Sequence, residues 1–290
     1  MRERSKAWLF ILPLISAAAQ AQNSDTINVI GRKPEEVRRE AEAFVRATGV
    51  ADTPIARWIE PVCPKIVGVA PEIAERITRR IHAVADQAGV RMARGKCDGN
   101  LMISFTTDAA AVVKQIASRL PDSFKDLSMA ELTALQRGSA PVRWWHVTQM
   151  RTKDGMRDIG NEVPPAAKLD GPGGVPLAGE VHQQYRSSFA STQMIRVLRA
   201  ATVVVDVNKA EGTPLDSVID LAALVGLAEI RPGAEPPPNS ILGLYAPDGP
   251  KQLTQLDLNF LRAIYRLPLD RTAIAHRGLL VKGLVNPAGK

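Results

Sequence analysis

An α+β fold is what this 290-residue sequence predicts, and three observations point there. Short β-branched runs alternate with segments whose apolar residues recur every three or four positions, so strands and helices share the chain. The composition is 45% apolar and 23% charged, which buries a sizeable core without reading as membrane-spanning or unfolded. The chain holds only two cysteines, Cys63 and Cys97, which an oxidising compartment would join as a staple within a single domain.

The compartment follows from the first residues. Arg2, Arg4 and Lys6 precede an apolar stretch over 7–18, and Ala19-Gln20-Ala21 forms an A-x-A cleavage site. Residues 1–21 read as a secretory signal peptide, with Gln22 opening the mature chain, residues 22–290. The apolar run is shorter than the ~20 residues that a spanning helix requires. No cysteine follows the cleavage site, so a free periplasmic or secreted product is expected. Removing Arg2, Glu3, Arg4 and Lys6 lowers the formal charge from +7 to +5, without any block of like charge. Aromatics make up only 4%, so base-stacking platforms are poorly supplied, and no nucleic-acid partner is expected.

The elements follow in order. After a short strand-like run at 27–30, Pro34 stands at a helix start and Gly49 at its end, predicting a helix over 35–47. Residues 57–69 place Trp58, Ile59, Val62, Ile66 and Val67 between prolines and read as an irregular strand. Pro71 opens a helix in which Ile73, Ile77, Ile81 and Val84 form one face, Arg76, Arg79 and Arg80 the other, and Gly89 the stop. A β run at 101–106 leads to Asp108, a capping residue for a helix carrying Val112, Val113, Ile116 and Leu120. Ser128 with Glu131 is a capping-box pattern, and 142–150 reads as a strand holding Trp144, Trp145 and His146. Residues 153–188, rich in Gly and Pro, read as a loop inside the domain.

Beyond it, 194–207 predicts a central strand broken around Arg199-Ala200, and 214–230 a buried helix with Val218, Leu221, Ala222, Val225 and Leu227 apolar. Thr254 with Asp257 caps a last predicted helix over 254–267, striped by Leu258, Leu261, Ile264 and Tyr265.

The order Ser240-Ile241-Leu242, Tyr245, then Leu253-Thr254-Gln255-Leu256-Asp257 through Leu261, Ile264 and Tyr265 resembles the C-terminal half of matrixin-type metallopeptidases, members of the metzincins. An uncharacterised secreted bacterial family that also looks like a zincin without histidines is a further resemblance. The likeness spans 202–268 and implies a zincin-like mixed sheet with packed helices. In matrixins the zinc helix reads H-E-x-x-H-x-x-G-x-x-H. Here Gly226 matches the glycine, Ile219, Ala223 and Glu229 stand at the histidines, and Asp220 at the general-base glutamate. Leu242 takes the place of the methionine in the turn beneath the metal, and Ser240, Ile241 and Tyr245 complete that turn.

Catalytic zinc needs about three N, S or O ligands and one open position, and isoleucine and alanine offer no lone pair. The expectation is therefore a scaffold with no catalytic residues, metal or cofactor, leaning away from an enzyme. Asp220 is expected on the solvent side. The resemblance points to a non-catalytic, exported binder of an extended peptide or cell-envelope component. Two alternatives stand beside it: a hydrolase or metallopeptidase with a non-inherited site drawing on Asp220, Glu229, His146 or His182, and a structural envelope protein. His82, His146, His182 and His276 lack ligand spacing, and no G-x-S-x-G, P-loop or Rossmann glycine pattern occurs. Ser187, Ser188 and Ser191 read as loop or capping residues.

Overall fold

Four strands form one sheet in the order β1-β2-β4-β3, where β1 is Pro64–Val67, β2 Leu101–Thr106, β3 Val142–Thr152 and β4 Met194–Asp206. The computed structural model describes residues 34–50, 53–153 and 192–286, all within one compact unit, Lys33–Lys290. The signal peptide, the 27–30 strand, most of the 153–188 loop, His182 and Ser187, Ser188 and Ser191 lie outside the described residues.

β1, β2 and β4 run parallel, and β3 lies antiparallel beside β4. Among the described residues seven α-helices accompany them: α1 Pro34–Thr48, α2 Pro71–Ala88, α3 Ala109–Arg119, α4 Met129–Arg137, α5 Leu215–Leu227, α6 Gln255–Arg266 and α7 Ala273–Val285. The fold is therefore mixed α+β, as the alternation of patterns predicts.

Local chemistry sets the helix ends. Pro71 opens α2 and Gly89 closes it in the left-handed region. Asp108 caps α3, and capping boxes at Ser128/Glu131 and Thr254/Asp257 start α4 and α6. Of the predicted 57–69 strand only Pro64–Val67 joins the sheet continuously; Arg57 and Val62 make isolated bridges to Val197 and Met92. The expected break near Arg199 is a bulge inside an unbroken β4: Val147 pairs with Ala200 and Thr148 with Leu198, so Arg199 is skipped. Gly68 ends β1 with φ of 83°, and a Cβ there would lie 2.0 Å from the Phe105 carbonyl oxygen, so no side chain fits.

Helices cover both faces of the sheet. α2 and α5 pack over one face, and the main core continues through α1, α6 and α7; Phe44 of α1 stacks on Phe260 of α6 at 4.3 Å. α3 and α4 cover the other face, where Val113, Leu135, Phe124 and Trp145 meet Val204. Cys63 and Cys97 form the expected disulfide, 34 positions apart, joining the start of β1 to the loop before β2. Among the described residues no helix is long and apolar enough to cross a membrane.

Candidate functional site

α5 carries four of the positions that the matrixin resemblance singles out, Ile219, Asp220, Ala223 and Gly226, and Glu229 follows just past its end. Every residue from Ser217 to Leu227 is buried, consistent with a helix apolar almost all round. Ile219 is 1% exposed and Ala223 0%, and both belong to the main core. Gly226 faces β2: a Cβ there would lie 2.8 Å from Leu101 Cδ1, so the missing side chain lets helix and sheet approach. The helix ends at Leu227, three residues before the predicted 230, because Ala228 turns to an extended conformation.

Asp220 corrects an expectation. It is not on the solvent side but 1% exposed. Its carboxylate accepts two hydrogen bonds from Arg80, at 2.7 and 3.0 Å, and one from the Leu253 N–H at 2.7 Å. The arginine face of α2 thus turns partly inward: Arg80 meets α5 through its guanidinium, and that bond holds its pKa above the ordinary arginine value. Arg76 pairs with Asp216 one turn earlier, at 2.6 Å.

Glu229 is likewise spent. It is 5% exposed, accepts a hydrogen bond from Arg196 at 2.6 Å, and takes the Ala56 N–H at 2.9 Å. Two carboxylates whose lone pairs already serve arginines and backbone amides, beside an isoleucine and an alanine, do not fit a catalytic zinc ion. Among the described residues no three His, Cys, Asp or Glu side chains converge as metal ligands would.

The C-terminal end of α5 is closed by side chains. A helix end leaves orphan carbonyls, and burying them unpaired is costly. Here His146 Nε2 donates to the Val225 carbonyl at 2.7 Å, Trp58 Nε1 to Gly226 at 3.0 Å, and the Tyr265 hydroxyl to Leu227 at 2.7 Å. An imidazole, an indole and a phenol thus satisfy three consecutive carbonyls. Trp144 Nε1 extends the pattern to the Ile230 carbonyl at 2.8 Å. His146 is held below the usual imidazole range, first by burial, with the charge of Glu229 opposing. It acts as a neutral donor at a helix end and is unsuited to taking protons from a substrate.

The 240–245 turn packs against α5. Asp257 clamps it: Ser240 Oγ donates to one carboxylate oxygen at 2.6 Å, and the Ile241 N–H, Thr254 N–H and Thr254 hydroxyl donate to the other at 2.9–3.0 Å. The Leu242 N–H bonds Ser240 Oγ, the Leu242 side chain packs on the core, and Tyr245 is 38% exposed at the surface. His82 is half-buried on α2, and His276 is enclosed far along the chain on α7, bonded to the Ile55 N–H and the Pro268 carbonyl. Both His276 ring nitrogens are thus taken up away from Ile219 and Ala223.

Arg80, Arg196 and Trp58, which help complete this constellation, carry no sequence signal toward it, and Tyr265 stands in the motif order without its role as a donor being legible; their partners lie 33 to 168 positions away. Two surface depressions lie elsewhere. One of about 320 Å³ is bordered by Asp86, Gln87, Arg262 and Tyr265; the other, of about 300 Å³, lies between Ile66 of β1 and Ala74, Thr78 and Arg79 of α2. Sheet, helices and sealed α5 define a mixed α+β protein whose central helix is buried along nearly its whole length. Comparison with family models, curated proteins and solved structures finds no match for this chain.

Proposed function

We propose that this is an exported, non-catalytic protein on a zincin-like frame, binding an extended peptide or cell-envelope component. The observation that carries the reading is the state of α5 and of Glu229 just past its end: all four polar or ligand positions of the motif are either apolar and enclosed or locked in ion pairs. The zincin-like part is supported by the element order, an antiparallel edge strand followed by a parallel strand, the buried helix, the Ser240 turn against it and a helix capped by Asp257. Export is supported by the disulfide and the basic, apolar leader.

The surface that suits an extended ligand is the outer edge of β1. The Cys63 carbonyl accepts from the Leu101 N–H, so 63, 65 and 67 turn their backbone toward β2, and Ile66 points its N–H and carbonyl outward. The 300 Å³ depression lies beside it. An added strand gains main-chain hydrogen bonds there and a shallow apolar seat against α2. The test is binding of an immobilised panel of unstructured peptides to the disulfide-bonded protein and to Ile66→Pro, which removes one outward donor without breaking the ladder to β2. Binding by the native protein that the variant loses is expected. No binding, or equal binding by both, refutes the edge as the site; chelator-sensitive peptide cleavage refutes the non-catalytic reading.

A further inference from the structure

Residues 53–58 run as a strap across the closed end of α5, and their attachments differ in kind. The Ala56 N–H is held by Glu229, the Pro54 carbonyl by Arg196 at 3.2 Å, the Arg57 carbonyl by the Leu198 N–H at 3.1 Å, and the Trp58 indole by Gly226. One attachment ends on an imidazole: the Ile55 N–H donates to His276 Nδ1 at 3.0 Å, while His276 Nε2 donates to the Pro268 carbonyl at 2.9 Å. The two partners fix the neutral tautomer, because an amide N–H can only donate and a carbonyl can only accept. His276 is 0% exposed, so no water replaces either bond.

We propose that His276 is an acid-sensitive latch: taking up a proton, it releases the 53–58 strap and uncovers the C-terminal end of α5. Protonation turns Nδ1 into a donor facing the Ile55 N–H, which leaves two buried donors opposed and one amide unpaired. The surroundings do not compensate. Arg57 from the strap and Arg271 from the α6–α7 connection face the ring with positive charge. Asp270 is the opposing carboxylate, and it is already paired with Lys153 and Arg271, each at 3.2 Å. On α1, Glu40 is engaged with Asn239; on α7 itself, Arg277 is exposed. Burial keeps the imidazole below its usual range, in line with a neutral ring in the closed state. What the strap covers is the Gly226 carbonyl and the apolar underside formed by Ile55, Ala56 and Trp58. This device is independent of the β1 edge, since it involves no residue of that surface.

The experiment is amide hydrogen exchange of the disulfide-bonded protein between pH 7.5 and 5, corrected for chemical exchange, together with nitrogen NMR of the His276 ring. Opening of peptides spanning 53–58 should rise several-fold, up to about 30-fold, the limit set by an open-state imidazole with its ordinary pKa of about 6.5. Peptides from β2 and α2 should keep their protection. His276→Asn keeps an acceptor near the Nδ1 position but does not titrate, so its strap should exchange at a rate independent of pH. If that variant does not fold, the native protein decides: His276 protonation and strap opening sharing one midpoint supports the latch. A strap whose exchange ignores pH, or one that opens while His276 stays neutral, overturns it.

Discussion

Arg80 and Asp220 share two hydrogen bonds, yet removing one or the other should have unequal effects, because the pair is buried from one side only. The Asp220 side chain is 2% exposed and that of Arg80 41%. Arg80→Ala strands a carboxylate in the core with only the Leu253 N–H for company, and an unpaired buried charge costs about 3–5 kcal/mol. Asp220→Asn strands an arginine that can turn to water, and the Asn oxygen still accepts from Leu253. The loss is then one charge-assisted interaction, discounted for exposure, about 1–2 kcal/mol. Asp220→Ala adds an unsatisfied amide and should fall between them, at about 3 kcal/mol. Urea denaturation of the oxidised protein measures all three, provided the slope of stability against denaturant is unchanged. The double variant should be less destabilised than the two single changes together, since the stranded carboxylate is gone. If Asp220→Asn costs as much as Arg80→Ala, or neither reaches 1 kcal/mol, the ion pair is solvated and the account of α5 as sealed is wrong.

Ala223→Glu places a carboxylate at a 0% exposed site with no partner, and the purified variant should lose its cooperative unfolding transition; a stable, metal-binding variant would contradict the packing described. Replacing Cys63 and Cys97 together by alanine should lower stability by about 3–4 kcal/mol, read from chemical denaturation; intact mass with and without reductant checks both the bridge and an N-terminus at Gln22. His146 and His276 have their pKa values pressed below the ordinary imidazole value by burial, so the unfolded chain binds their protons more readily. The stability they confer is complete above about pH 6.5 and declines as pH falls toward their folded values, visible as a falling denaturation midpoint between pH 7 and 5; a flat profile there would disprove it.

What the sequence discloses about this fold is what neighbours in the chain decide. The α2 start at Pro71, the Asp108 cap and the two capping boxes all act over three or four residues, and each helix begins where those residues place it. α7 escapes prediction because its apolar residues surround the helix without a stripe and Gly278 and Gly283 interrupt it. The fate of Asp220 escapes for a different reason. Arg80 reads as a solvent-facing residue by periodicity, and only the fold brings it to a partner 140 positions away. Isoleucine at 219 and alanine at 223 show at once that these positions offer no metal donor, whereas the closing of the helix end by Trp58, His146 and Tyr265 depends on three distant side chains that no spacing connects.

Those three donors also set an order of assembly. They come from the strap before β1, from β3 and from α6, and they converge on a helix that sits between the last two in the chain. A chain emerging from its N-terminus can form α2 early from local contacts, but the α5 carbonyls have no complete set of partners until residue 265 is present. Until then the apolar segment 215–227 lacks a finished shell, so an incomplete or truncated chain carries this almost wholly apolar helix without protection. Tyr265 stands in the last turn of α6, so a C-terminal deletion that reaches it removes both a donor to α5 and the whole of α7, a lesion of the entire domain and not of its tail alone.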